Sequence, residues 1–317
     1  MVAYVIRRLF QAVLIVFIVS ILIFLIIRLL PGDPVEMLVL NTQVEDPDAL
    51  AAQIRSDMGL DKPLITQYFT WLGGALRGDF GQSILYRYDI ATEISKRLPI
   101  TLYLGLTAFI IGCIIGPLLG IICAIKRGSW IDNFLTVVAN IGITAPTFWV
   151  GISLIFVFGL SLKVLPIFGY TPFSKDIGQN IRSIIMPVFV LMLHPVASTT
   201  RQTRASVVEV LKEDYIRTAW SKGLAQKTIV IRHVLKNALM PVVTMQGLSL
   251  RNIVGGSVVV ESVFVIPGMG KLMVDAMMSR DYMVVQGIML IMTIMVVLIN
   301  LIVDLAYGWL DPRIQYE

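Results

Sequence analysis

The chain has 317 residues, of which 56% are hydrophobic and only 15% charged, and its mean hydropathy is +0.81. A soluble domain of that size could not cover so much apolar surface, so the composition points to a membrane protein. The formal charge of +5 therefore matters through its distribution between loops, and it does not argue for a nucleic-acid partner.

The first long apolar run covers 9–30, behind Arg7 and Arg8. It is too long for a secretory signal and no Ala-x-Ala cleavage site follows, so 1–30 is read as an uncleaved anchor helix. Residues 31–99 form an extracytoplasmic segment with short helices, carrying six Lys/Arg and ten Asp/Glu over 31–98. Within it, Asp46-Pro47 supplies a cap and a first-turn proline for a helix over 49–54 that Gly59 stops. A second helix starts near Pro63, with Leu64, Tyr68, Trp71, Leu72 and Leu76 on one face. That face suits the membrane interface or the tops of the spans.

Further apolar runs cover 100–125, 134–162, 184–200, 241–266 and 284–307, each near or above the roughly 20 residues that cross a bilayer. Together with the first run they predict an all-α membrane protein of six transmembrane helices, with both termini on one side. Arg7-Arg8, Lys126-Arg127 and the basic loop 201–241 lie on that side, so the N- and C-termini are predicted to be cytoplasmic. Residues 100–317 then make a five-helix core interrupted by the 201–241 loop. Gly116-Pro117, Pro146, Pro187 and Pro195 sit within the runs, where kinks and close helix contacts explain them more simply than a gate.

The 201–241 loop carries eight Lys/Arg and three Asp/Glu. From Asp214 it reads as a short helix stopped by Gly223, and from Arg232 to Pro241 as a second helix returning to the membrane. Ala219 and Gly223 are four residues apart and share a helix face, so their small side chains would let the helix seat closely in a groove on a partner.

Candidate chemistry is sparse. Cys113 and Cys123 lie on one predicted helix, about 15 Å apart by helical rise and too far to bridge. His194 and His233 lack the Cys, Asp or Glu neighbours of a metal site, and His194, beside Pro195, is read as satisfying a freed backbone carbonyl. The Gly268-Met-Gly270-Lys271 stretch has Val265 and Leu272 where a phosphate loop needs Gly and Ser/Thr. No catalytic residue, metal or cofactor is therefore assigned to this chain. Three charges fall within the runs: Arg251, Glu261 and Asp304. Arg251 must face protein or water; with Asn252 it is either a structural anchor or part of a substrate path. Glu261 and Asp304 lie near span ends, where snorkelling or helix-end contacts are expected, and Glu261 is kept as a possible path residue.

Arg201-Gln-Thr-Arg204, Glu213-Asp-Tyr-Ile-Arg-Thr-Ala219-Trp-Ser-Lys-Gly223-Leu and Arg232-His-Val-Leu-Lys-Asn-Ala-Leu-Met-Pro241 resemble the cytoplasmic loop of permease subunits of ATP-binding-cassette (ABC) importers, in the dipeptide/oligopeptide/nickel branch. Leu30-Pro-Gly-Asp-Pro34, Gly78-Asp-Phe-Gly-Gln-Ser83, Glu261-Ser-Val-Phe-Val-Ile-Pro-Gly-Met-Gly270, Arg280-Asp-Tyr282 and Leu310-Asp-Pro-Arg-Ile314 are similar to that branch in the same order. The general importer pattern of Glu-Ala-Ala, three residues, Gly, and later Ile-x-Leu-Pro is matched only at Ala219, Gly223 and Leu235.

The resemblance implies a type I ABC importer-like fold in a bacterial or archaeal inner membrane, surrounded by lipid. It implies coupling to ATPase subunits through Glu213, Asp214, Arg217, Thr218, Ala219, Lys222, Gly223 and Leu224. The implied partners are a second, homologous permease subunit, two ATP-binding subunits that use the ATP, and an extracytoplasmic substrate-binding protein. The implied cargo is short peptides, with nickel chelates, glutathione or another small solute as alternatives. A secondary transporter fits less well, because neither midplane carboxylates nor inverted repeats are evident. A membrane-embedded enzyme would need a nucleophile or metal cluster that is not seen.

Overall fold

A computed structural model describes residues 2–29, 46–57, 59–250 and 252–310. In chain order its helices are α1 (Val2–Leu29), α2 (Pro47–Asp57), α3 (Leu64–Ala75), α4 (Ile90–Ile125), α5 (Trp130–Thr144), α6 (Thr147–Leu154, continued by a π turn at Ile155–Ser161) and α7 (Ile177–Val210). They continue as α8 (Asp214–Ser221), α9 (226–238, with a π turn at Val230–Val234), α10 (Met240–Leu250), α11 (Asn252–Val263), α12 (Met269–Met278) and α13 (Tyr282–Leu310). Strand structure among the described residues is confined to an isolated bridge between Gln82 and Asp89.

Local chemistry sets most of these boundaries. Asp46 accepts the Ala49 amide at 3.0 Å and Pro47 opens α2, while Gly59 has φ +63 after it. Asp89 accepts both the hydroxyl and the amide of Thr92 ahead of α4, and these bonds hold its carboxyl below the usual carboxylate range. Ser129 caps α5 by accepting the Asp132 amide, and Asp176 caps α7.

Among the described residues, Ala3–Leu29, Ile90–Ile125, Ile177–Val210 and Tyr282–Leu305 are long and apolar enough to cross a bilayer. Trp130–Thr144 and Thr147–Ser161 add a fifth span if the pair, bent by 108°, counts as one. The bend is a departure from the unbroken run expected over 134–162. Its cause is local: Ala145 precedes Pro146 and is pushed into the extended region, with ψ 128. The run expected over 241–266 is described as α10 and α11, on either side of residue 251. The run expected over 184–200 belongs to a longer helix, so 201–210 continue α7 and are not loop.

The chain divides into two compact units. The first contains Met1–Thr101 and Pro267–Gly308. In it the start of α1 meets the end of α13, where Tyr4 donates to the Asp304 carbonyl at 3.0 Å and Arg8 pairs with the Asp304 carboxylate at 3.1 Å. Helix α3 lies alongside α1: the Tyr68 and Ser20 hydroxyls are 2.8 Å apart in a buried contact, and the Phe24 ring packs against Tyr68 and Trp71. The apolar face anticipated for α3 is divided. Tyr68 is buried and Trp71 packs on the core, whereas Leu64 and Leu76 are exposed.

The second unit contains Leu102–Ile266. Here α4 and α7 touch almost at the backbone along Gly112, Gly116 and Gly120. A Cβ at Gly116 would come within 2.8 Å of the Thr199 Cβ, and one at Gly120 within 2.5 Å of the Thr203 Cβ and 2.6 Å of the Thr200 carbonyl. Small residues four apart are how membrane helices achieve such an approach, and the Thr200 hydroxyl uses it to reach the Gly116 carbonyl at 3.2 Å.

Gly120→Val drives a branched side chain into both Thr203 and a backbone oxygen that cannot move aside. We expect a loss of about 3 kcal/mol, read as a lowered unfolding midpoint in detergent. Gly73→Ala, where an added Cβ meets nothing within 4 Å, should leave the midpoint unchanged or slightly raised. Equal midpoints for Gly120→Val and the parent chain would show that the two helices do not touch there.

Candidate functional site

The polar end of the second unit is built around α8. The helix begins after Glu213, whose backbone is extended, with ψ 145. It ends through Gly223 at φ +73, with the Gly223 amide on the Trp220 carbonyl at 2.9 Å. A Cβ at Gly223 would meet nothing within 4 Å, so the position needs glycine for its left-handed backbone and not for close approach.

One face of α8 is committed to this chain. Ile216 is 0% exposed and Ala219 6%, and both pack with Ala124, Val207, Ile229 and Val234. This corrects the expectation that Ala219 and Gly223 present a small face to a partner. The small side chain of Ala219 seats α8 on its own core, because the apolar spacing from Ile216 to Ala219 selects that face for burial. Glu213, Asp214, Arg217, Thr218, Lys222, Gly223 and Leu224 are all exposed, as are the rings of Tyr215 and Trp220. Arg217 and Asp214 pair at 3.0 Å with both side chains in solvent, a contact of little energetic weight. Asn237 donates to the Tyr215 hydroxyl at 2.8 Å and ties α9 to the base of the exposed face.

An ion pair with no local signature in the sequence joins α7, which packs into this core, to α5. Arg204, in the last turns of α7, grips Asp132 in the first turn of α5 with both prongs, Nε to Oδ1 at 2.6 Å and an Nη to Oδ2 at 2.7 Å. Asp132 is 1% exposed, and its Oδ2 also accepts the Gly128 amide at 3.0 Å. A bidentate, charge-assisted pair of this kind fixes orientation as well as distance. The available signal was an acidic residue following Lys126-Arg127-Gly128 on the side of the membrane that carries Arg204.

The remaining candidates separate. Arg251 lies outside the described residues, and Asn252 is the first residue of α11. Glu261 is 0% exposed and does not snorkel to the interface. Asp304 makes the helix-end contact expected of it. His194 is exposed on α7, and the hydroxyl of Ser198 is what meets the carbonyls of His194 and Pro195. Among the described residues, no group of three or more His, Cys, Asp and Glu side chains could hold a metal ion.

In the first unit, two of the quoted motifs meet. Asp281, from Arg280-Asp-Tyr282, is 1% exposed and accepts the Ser83 hydroxyl at 2.5 Å and the Ile84 amide at 3.4 Å. Ser83 closes Gly78-Asp-Phe-Gly-Gln-Ser83, and its oxygen also accepts the Tyr86 amide at 2.9 Å. Both motifs are thus explained by one buried carboxylate that fixes the turn before α4 and the entry to α13.

Family models match both parts of the chain. Residues 116–316 match the binding-protein-dependent transport system inner membrane component, and residues 1–105 match the N-terminal part of membrane components of such systems. A peptide transport system permease protein of Brucella abortus is 38% identical over 317 residues, covering 100% of both chains. The glutathione transport system permease protein GsiC of Escherichia coli K12 is 41% identical over 320 residues, again covering 100% of both. A chain of the MetNI methionine ABC transporter, solved in inward-facing conformations, shares the fold. It has a TM-score of 0.55 and 17% identity, over 69% of this chain and 96% of that one.

Asp132→Leu leaves the Arg204 guanidinium without its counter-charge, and we expect it to cost about 3 kcal/mol. Combining it with Arg204→Met should recover most of that loss, as measured by thermal unfolding of the purified chain. A double variant no better than the single one would show that the pair does not act as a unit.

Proposed function

The chain belongs to the family of binding-protein-dependent transport system inner membrane components, and from that membership we propose how it works as the permease subunit of an ABC importer of short peptides. Its role is translocation and not catalysis. We assign it six crossings with both termini in the cytoplasm. The Arg8–Asp304 and Tyr4–Asp304 contacts support termini on one side, and the basic residues of 201–241 support the cytoplasmic side. A second permease subunit would complete the path, two ATP-binding subunits would bind and hydrolyse the ATP, and an external binding protein would deliver the cargo.

The observation that carries the coupling reading is the two-faced character of α8. Its Ile216 and Ala219 side is locked into the chain's own core, while Tyr215, Trp220 and Leu224 are left exposed among polar residues. Exposed aromatic residues on a rigid mount are what a docking contact uses. Helix α7 runs unbroken from Ile177 to Val210 and packs into the same core through Val207. Displacement of α8 by an ATPase subunit is therefore passed to a helix that reaches through the membrane, with Arg204 carrying α5 along with it. Peptide cargo rests on the relatives in Brucella and Sinorhizobium, whose names specify peptide transport. Glutathione, the cargo named for the Escherichia coli relative, is itself a short peptide and is the specific alternative.

In proteoliposomes holding the whole importer, dipeptide or glutathione uptake should require the ATP-binding subunits and ATP, and uptake without them would refute the reading. Cysteines at Trp220 or Leu224 should crosslink to an ATP-binding subunit, and one at Ala219 should not. Gly223→Val forces a β-branched residue to φ +73 at a cost of about 1–2 kcal/mol; uptake should fall sharply while the subunit remains in the membrane. Labelling of intact cells tests the orientation: a cysteine at Lys62 should react with an impermeant reagent and one at Lys227 should not.

A further inference from the structure

A proline inside a helix lacks the N–H that would bond the carbonyl four residues back. Pro117 sits inside α4, so the Cys113 carbonyl is without its helical donor. This part of α4 belongs to a helix of spanning length, and Ile110, Ile114 and Leu118 around it are large, apolar and exposed, as side chains that meet a membrane are. Hydrocarbon offers no replacement donor. The donor comes from another helix: Gln246 Nε2, on α10, reaches the Cys113 carbonyl at 3.2 Å across 133 residues of sequence.

A carboxamide in an apolar run needs a partner. Within α10, Thr244 and Ser249 turn back to the carbonyls of Met240 at 3.1 Å and Met245 at 2.9 Å, the local solution open to short hydroxyl side chains. Gln246 is long enough to leave its own helix, and its bond ends on a main-chain oxygen that no rotamer change in α4 can withdraw. In the same turn of α4 the Gly116 carbonyl accepts the Thr200 hydroxyl of α7 at 3.2 Å. One turn of α4 is therefore gripped by its carbonyls from two helices.

Those two helices bound the polar end of the unit. Helix α7 leads into α8 through residues 211–213, and α10 follows α9 with only Leu239 between them. Helices α8 and α9 share one core, with Ile216 and Ala219 packed with Ile229, Val234 and Ala238. A push on that core reaches α4 by both routes.

The geometry points to Gln246 as the positioning residue that joins α10 to α4, so that α4 moves with the docking assembly instead of sliding past it. Pro117 makes the joint obligatory: with a backbone donor at 117 the Cys113 carbonyl would be satisfied at home, and the contact with Gln246 would become optional. The role in transport rests on the importer reading above, whereas the bond and its dependence on Pro117 do not.

The test uses the full chain assembled with its partner subunits. Gln246→Met keeps the side-chain volume and removes the donor. It should lower the unfolding midpoint and cut uptake about tenfold, while ATP hydrolysis by the assembled complex continues. Pro117→Ala alone should keep its uptake, because a carbonyl has lone pairs for both a helical donor and Gln246. Added to Gln246→Met, it should raise the midpoint by more than it does in the parent chain and leave uptake low, since the carbonyl is satisfied but the helices are not rejoined. This double variant has no orphaned carbonyl and serves if the single one does not assemble. Gln179→Met, the same exchange at an exposed site on α7, should change neither quantity. Uptake restored together with the midpoint would show that Gln246 only satisfies a carbonyl and would overturn the positioning role. Loss of uptake in Pro117→Ala alone would place the requirement in the proline and overturn it too. Equal midpoint gains from Pro117→Ala with and without Gln246, or full uptake in Gln246→Met, would overturn the joint. Failure of the importer reading looks different: uptake by the parent complex would then not depend on ATP, while the midpoints would still show the coupling of Gln246 to Pro117.

Discussion

The second unit depends on two helices being allowed to touch at the backbone. Along Gly112, Gly116 and Gly120, α4 gives up its side chains so that Thr199 and Thr203 of α7 can sit against its main chain. In hydrocarbon there is no hydrophobic gain in bringing helices together, and close packing with short polar contacts has to supply the attraction. The Arg204–Asp132 fork then fixes the polar end of the same helix. Between them these contacts make α7 a strut, and everything proposed for α8 assumes that a strut stands behind it.

The two units solve their anchoring problems with the same device, a buried carboxylate at the start of a helix. Asp132 holds an arginine from α7, and Asp281 holds a serine from the turn before α4. Each also accepts a backbone amide. Each of these side chains gathers several hydrogen-bond donors, which fixes direction as well as distance, so it can act as a rigid junction where an apolar contact would allow sliding.

How much of this was legible in the sequence follows the range of each cause. Asp46-Pro47, Gly59 and Gly223 act on their own neighbours, and each bounds a helix where reading the chain put it. The 108° bend at Ala145-Pro146 was half visible, since the proline was noted but not the size of its effect. The face of α8 was misjudged because small residues four apart fit a partner's groove and the chain's own core equally well. Only the packing of Ile216 with Val207 and Ile229 decides between them. Asp132 and Arg204 are 72 residues apart, a separation at which no local pattern operates. Glu261 was assigned to a water boundary from its place along a run, and depth along a run says nothing about which side a residue turns to.

Contact between the two ends of the chain has a consequence for biogenesis. Tyr4 and Asp304 are separated by 300 residues, and the core of the first unit mixes Ile23 and Ile27 of α1 with Val284 and Ile288 of α13. The ribosome delivers α1 well before α13, so α1 can pack against α3 early but lacks its α13 contacts for most of synthesis. Its large apolar side chains face lipid in the interim, which the membrane tolerates and water would not. Closure of that unit is then the concluding event of folding, and a chain that stops short of α13 leaves the first unit open, with α1 and α3 inserted but unsealed.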